Sequence, residues 1–102
     1  MREDGGGALK VVVRLARPLQ VHAGGATCID LELPSPVTVG AVVGAITVAH
    51  PAVARRVCDE TGVLRRHVNI FVGADNVRDL EGLDTVVPEQ VEITVLPAVS
   101  GG

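Results

Sequence analysis

The chain has 102 residues, room for one domain, and 47 % of them are hydrophobic, yet Phe71 is the single aromatic, so any core is aliphatic. The net charge is −3, Lys10 is the sole lysine and the arginines are scattered along the chain, which argues against nucleic acid: phosphate contacts need clustered cations, and single-strand binders add stacking aromatics. Cys28 and Cys58 make no disulfide framework, Met1–Gly7 lacks the apolar run of a signal sequence, and Val37–Ala49 is too short to span a bilayer, so the expectation is a cytoplasmic protein with no membrane partner.

Residues 1–7 read as a disordered lead-in. Leu9, Val11, Val13 and Leu15 then alternate with Lys10, Val12, Arg14 and Ala16, the period of a strand. Pro18 and Gly24-Gly25 punctuate a turn, which is no phosphate loop because no GxxxxGK follows. Thr27, Ile29, Leu31 and Leu33 alternate with Cys28, Asp30 and Glu32 in a second strand, hairpinned to the first. Pro34-Ser35-Pro36 ends the hairpin. Thr38 can cap a helix in which Val39, Val42, Val43 and Ile46 recur at helical spacing, and Pro51 stops the run. Val and Gly are poor helix formers, but the periodicity and the cap decide for helix. Pro51 is also placed to open a short second helix, with Val53 and Val57 four apart and Gly62 as its stop.

His67–Gly73 is the clearest strand, with Val68, Ile70 and Val72 on one face and His67, Asn69 and Phe71 on the other. Asp75-Asn76 marks a tight turn; a short return near Val77 and a loop carrying Gly82 come next. Val91, Ile93 and Val95 alternate with Glu92, Thr94 and Leu96 in a last strand, after which Pro97 cannot donate to a continuing ladder. This order predicts an α+β roll over residues 8–97, a mixed sheet of four to five strands covering one main helix, with a flexible tail at 98–102.

The tail runs Pro97-Ala98-Val99-Ser100-Gly101-Gly102. A frayed, glycine-containing end is the plain reading. The diglycine, at the terminus and a short fixed distance past the last strand, points instead to chemistry at the main-chain carboxylate. To react inside another enzyme's narrow channel, the final residues must be slim and extended, which suits glycine. A carboxylate is a poor electrophile and must first be activated, for example as an acyl-adenylate, before a sulfur nucleophile attacks. The product, a thiocarboxylate, stores sulfur without a cysteine.

This tail, with Pro36-Val37-Thr38-Val39-Gly40 opening the helix, His67-Val68-Asn69-Ile70-Phe71-Val72 as third strand, the Gly82-Leu83-Asp84-Thr85 loop and Val91–Gly102, resembles the ThiS/MoaD-like sulfur carriers over residues 9–102. The third strand and the ending are most similar to carriers serving cysteine biosynthesis in actinobacteria, then to the small subunit of molybdopterin synthase. Pro88-Glu89-Gln90 stands where the family often has Asp-Gly-Asp, and Gly73-Ala74-Asp75 replaces a common Asn-Gly-Glu; both departures lie in turns. The resemblance implies a β-grasp, ubiquitin-like fold and a protein co-substrate rather than an enzyme. It implies that an E1-like enzyme using ATP adenylates Gly102, beside the slim Gly101. A sulfurtransferase then makes the thiocarboxylate, and a sulfur-accepting biosynthetic enzyme consumes it. The carrier itself binds no cofactor. Partners would grip Leu96, Pro97, Ala98, Val99 and Ser100. A molybdopterin synthase subunit, a ubiquitin-like modifier and an inert binding domain are the alternatives.

Phe71 is either a partly covered residue packing on its neighbours or the apolar anchor a partner grips; pairing of the family's kind sets it near Val12 and Leu96. His22, His50 and His67 are far apart with no ligand spacing between them, so no metal site is expected. Ser100 has no held base and is no nucleophile. Cys28 faces outward and Cys58 sits near a helix end close to Arg55 and Arg56; neither setting clearly makes a thiolate. Asp75, Asp79, Glu81, Asp84, Glu89 and Glu92 against Arg78 alone form an acidic surface, read as a solvated face ahead of a docking patch for a basic partner.

Overall fold

The computed structural model describes residues 7–97. Strand β1 (Ala8–Leu15) pairs antiparallel with β2 (Cys28–Pro34), Leu9 opposite Leu33 and Val13 opposite Ile29. Period-two alternation is what makes this hairpin: Leu9, Val11, Val13, Leu15 and Ile29 are buried, while Lys10, Arg14, Asp30 and Glu32 stay exposed.

Between these strands the structure corrects the expected plain turn. Arg17–Gln20 forms a short helix, α1, extended by a 3-10 turn over Val21–Ala23. Pro18 sits at its start, where a proline's fixed φ favours a helix and its missing N–H is no loss, and Leu19 plugs into the core.

Helix α2 (Val39–Ala49) crosses one face of the sheet and buries Val39, Val42 and Ile46. The Thr38 hydroxyl accepts a bond from the Ala41 amide at 3.1 Å, as a cap should. Pro51 opens α3 (Pro51–Val57), which buries Val53, Ala54 and Val57. Gly62 is not its stop. The helix ends at Val57, Cys58 turns extended to bridge Leu64, and Gly62 lies in the loop beyond. There the Asp59 carboxylate accepts from the Thr61 amide (2.9 Å) and hydroxyl (2.6 Å) and the Val63 amide (3.0 Å).

Strand β3 (Val68–Val72) buries Val68, Ile70 and Val72. Asp75-Asn76 is not the next turn but the return strand, β4, with Val72 opposite Asp75. The turn is Gly73-Ala74, because Gly73 supplies the positive φ (61°) that a tight hairpin needs. Two 3-10 turns, Val77–Asp79 and Gly82–Asp84, lead to β5 (Ile93–Pro97).

The sheet order is β2-β1-β5-β3-β4, with β1 and β5 parallel and the other neighbours antiparallel. One face packs on α2 and α3 through a core of Val, Leu, Ile and Ala, and the other is open. This is the β-grasp roll. Two of the stretches carrying the family resemblance meet in it: the Val39 amide donates to the Thr85 carbonyl (2.9 Å) and the Val87 amide to the Val37 carbonyl (2.8 Å). No helix among the described residues is long and apolar enough to cross a membrane.

Candidate functional site

The expected chemistry belongs to the residues after β5, and the anchorage of that strand governs how they are presented. β5 lies inside the sheet, held by β1 through Val13–Ile93, Arg14–Thr94 and Leu15–Val95, and by β3 from Val72–Ile93 to Val68–Pro97. Ile93 and Val95 are buried, so a one-residue slip would turn both out to solvent. The Ala16 amide adds a bond to the Val95 carbonyl (3.1 Å), next to the strand's end. Pro97 is the last residue of this fixed base. Ala98, Val99, Ser100, Gly101 and Gly102 lie outside the described residues.

Beside Pro97 opens a groove of about 530 Å³, lined by Pro18, Leu19, Arg55, Arg56, Arg65, His67 and Pro97. Arginines scattered in the sequence are therefore gathered in space, which corrects the reading that no cationic cluster exists. The Arg65 guanidinium is held by Nε donating to the Arg55 carbonyl (2.9 Å), and the Arg65 amide donates to the Val57 carbonyl (3.0 Å). Arg78 fixes the same segment from behind. Its Nη2 donates to the carbonyls of Arg65 (2.7 Å), Val68 (2.6 Å) and Arg66 (3.3 Å), and its Nε to Asn69 Oδ1 (3.3 Å). The one cation of the acidic segment thus faces main-chain carbonyls. Asp75, Asp79, Glu81, Asp84 and Glu89 remain exposed.

Close to the groove, Asp59 keeps its charge. The Thr61 hydroxyl bond, then the Val63 amide, hold its carboxyl below the usual carboxylate range. Cys58, under α3, is buried, and that burial pushes its thiol up, so the nearby arginines do not make it a thiolate.

On the open face one row reads Asn76, Phe71, Thr94, Arg14, Cys28 across β4, β3, β5, β1 and β2. Phe71 is half-buried, and Leu96, which pairs with Asn69 and is 40 % exposed, is its diagonal neighbour on β5. Val12 is not adjacent, because the parallel β1–β5 register inserts β5 between β3 and β1. Arg14 Nε donates to Glu92 Oε1 at 2.7 Å, a bond that draws the Glu92 carboxyl down and the Arg14 guanidinium up. Among the described residues no three His, Cys, Asp or Glu side chains gather to hold a metal ion.

Comparison with known proteins agrees with this architecture. The sulfur carrier protein CysO of Mycobacterium tuberculosis is 33 % identical over 96 residues, 92 % of this chain and all of that protein. A chain in the crystal structure of the Amycolatopsis orientalis BexX/CysO complex superposes with a TM-score of 0.78 at 29 % identity, covering 90 % of this chain and 99 % of that one. The small archaeal modifier protein 1 of Methanosarcina acetivorans gives a TM-score of 0.79 at 30 % identity, covering 95 % of this chain and 100 % of that one. The model of the ThiS family matches residues 20–102, through the diglycine. On that match, and on the sheet that holds the root of the tail, the chain belongs to the ThiS family.

Proposed function

We propose that this protein is a sulfur carrier whose reactive group is the carboxylate of Gly102. The observation carrying the reading is one of placement: the diglycine comes, after Ala98-Val99-Ser100, at the end of a strand locked on both edges in the interior of the sheet. A rigid root and a slim end are what presentation of a terminus to a second active site requires.

In this reading the carrier is a co-substrate, and ATP belongs to an E1-like adenylating partner. A carboxylate oxygen of Gly102 attacks the α-phosphorus of ATP and pyrophosphate leaves, giving an acyl-adenylate. A sulfurtransferase then supplies hydrosulfide, released from its persulfide by a thiol reductant, to the carbonyl carbon. The bond from that carbon to the phosphate oxygen breaks, and AMP departs with the electron pair. The thiocarboxylate left on Gly102 is an ionised nucleophile, ready for a sulfur-accepting biosynthetic enzyme; similarity to CysO supports the cysteine-biosynthesis type. Gly101 keeps the reacting end narrow, Ala98, Val99 and Ser100 pass through the partner's channel, and Phe71 with Leu96 and Pro97 gives the partner an apolar hold on the sheet. The cytoplasm is the expected place.

Intact mass spectrometry tests the proposal. Incubation with the host's E1-like enzyme, its sulfurtransferase, ATP and a sulfur source should replace one oxygen by sulfur at the C-terminus. Deletion of Gly102 should abolish the change while circular dichroism stays native; a truncated chain that still loads sulfur defeats the proposal.

A second reading, a ubiquitin-like modifier, is favoured by the likeness to small archaeal modifier protein 1. It shares the adenylate but ends in an isopeptide bond, so conjugates retaining Gly102 on lysines of other proteins, with no thiocarboxylate, would decide for it. Lys10, as the sole lysine, limits self-linked chains to one side-chain attachment point.

A further inference from the structure

Arg55 and Arg56 end α3, and Arg65 and His67 precede β3, yet all four line one groove whose remaining walls are Pro18, Leu19 and Pro97. None of its lining residues is acidic. Two carboxylates lie on adjoining surfaces: Asp59, with Arg65, Arg66 and His67, is engaged by Thr61 and Val63, and Glu60 shares with Asp59 a surface that also holds Arg55 and Arg65. In a protein of net charge −3, this is a local concentration of positive charge. It is also partly pre-ordered: Arg65 uses only its Nε to hold the Arg55 carbonyl, and Arg78 clamps the backbone that carries Arg65 and His67.

Position then limits what can cover the groove. From Pro97 to Gly102 the chain reaches about 17 Å when fully extended. A protein that draws Gly102 into its active site must therefore lie against the end of the molecule where this groove opens. We propose that the groove docks an acidic segment of the adenylating enzyme that receives the tail, so that charge pairing aligns the carrier before its terminus enters. The inference rests on the carrier reading above. Guanidinium groups suit this role because they meet carboxylates as planar, two-pronged donors. Paired charges at an interface act mainly on encounter and register.

Two measurements test it independently. In the first, ATP–pyrophosphate exchange by the host's E1-like enzyme is followed against carrier concentration for the native protein, R55Q/R56Q and R55E/R56E, with thermal unfolding as the check on folding. The glutamate variant should raise the half-saturating concentration about tenfold or more at low salt, with the glutamine variant in between and the maximal rate kept. Added salt should narrow the gap. An unchanged half-saturating concentration overturns the proposal, and so does a loss confined to the maximal rate. In the second, hexaglutamate is titrated into the native protein and amide shifts are read by NMR. Shifts at residues 55–56 and 65–67 support the groove; shifts centred on Lys10 and Arg14, or displacement of the peptide by a single-stranded oligonucleotide, overturn it. If the native protein supports no exchange at all, the carrier reading fails, while the titration still reports on the groove.

Discussion

Arg78 shows how far a residue's role can lie from its charge. In the sequence it is the lone cation among carboxylates, and a pairing with one of them is the natural guess. Its Nη2 instead donates to the carbonyls of Arg65, Arg66 and Val68, with Nε on Asn69, which ties the approach to β3 onto the turn after β4. Main-chain acceptors carry no signature in a sequence, so this clamp was not legible there. Bonds from a charged donor each contribute more than neutral ones, but Arg78 is exposed. Arg78→Ala should therefore destabilise the domain by about 1–2 kcal/mol and lower Tm by about 5–10 °C. Arg78→Lys should recover part of the loss, because the three carbonyls converge on one nitrogen and an ammonium has three donors, while the Nε bond to Asn69 is lost. Thermal denaturation followed by circular dichroism measures both. An alanine variant as stable as the native protein would mean that water satisfies those carbonyls equally well.

At the scale of elements, α2 is the instructive case. It is rich in Val and Gly, both poor helix formers, yet the Thr38 cap and burial of Val39, Val42 and Ile46 hold it, as tertiary packing commonly overrides propensity. Two glycines in it separate local from tertiary cost. A Cβ on Gly44 meets nothing within 4 Å, so Gly44→Ala should stabilise the protein by about 0.5–1 kcal/mol through the backbone alone. A Cβ on Gly40 would stand 3.2 Å from the Leu83 carbonyl oxygen, in a loop fixed by the Val39–Thr85 and Val87–Val37 bonds. Gly40→Ala should therefore gain less than Gly44→Ala, and equal gains in chemical denaturation would show that the loop yields freely. Local and tertiary causes also divide the elements that a sequence discloses from those it hides. β1, β2, β3 and β5 were legible because each alternates over several residues, and α2 because its apolar spacing and cap agree. Helix α1 is too short for periodicity to register. The Gly73-Ala74 turn was missed because Asp75-Asn76 carries the stronger turn chemistry one step later. The arginine groove needed the fold itself, since the Cys58–Leu64 bridge and the Arg65–Val57 bond that set the end of α3 beside the approach to β3 are main-chain contacts without a signature in the sequence.

Across the whole molecule, the proposed division of labour is that the packed roll stays chemically passive while the terminus reacts. If so, damage to one part should not reproduce damage to the other. Val95 lies at the centre of β5, 2 % exposed, between β1 and β3. Val95→Ala removes two buried carbon groups and leaves a void, destabilising by about 2 kcal/mol and lowering Tm on the order of 10 °C. Held well below that temperature, the variant should still be adenylated at close to the native maximal rate, because strand register and the position of Pro97 are set by the remaining pairs. Removing residues 98–102 should do the opposite. The described ladder of β5 ends at Pro97, so Tm should move by no more than about 2 °C, while pyrophosphate exchange falls to background. Calorimetry and the exchange assay on the two variants separate these outcomes. Were Val95→Ala to lose exchange while folded, the interior of the sheet would be transmitting something to the terminus, and a passive scaffold would no longer describe this protein.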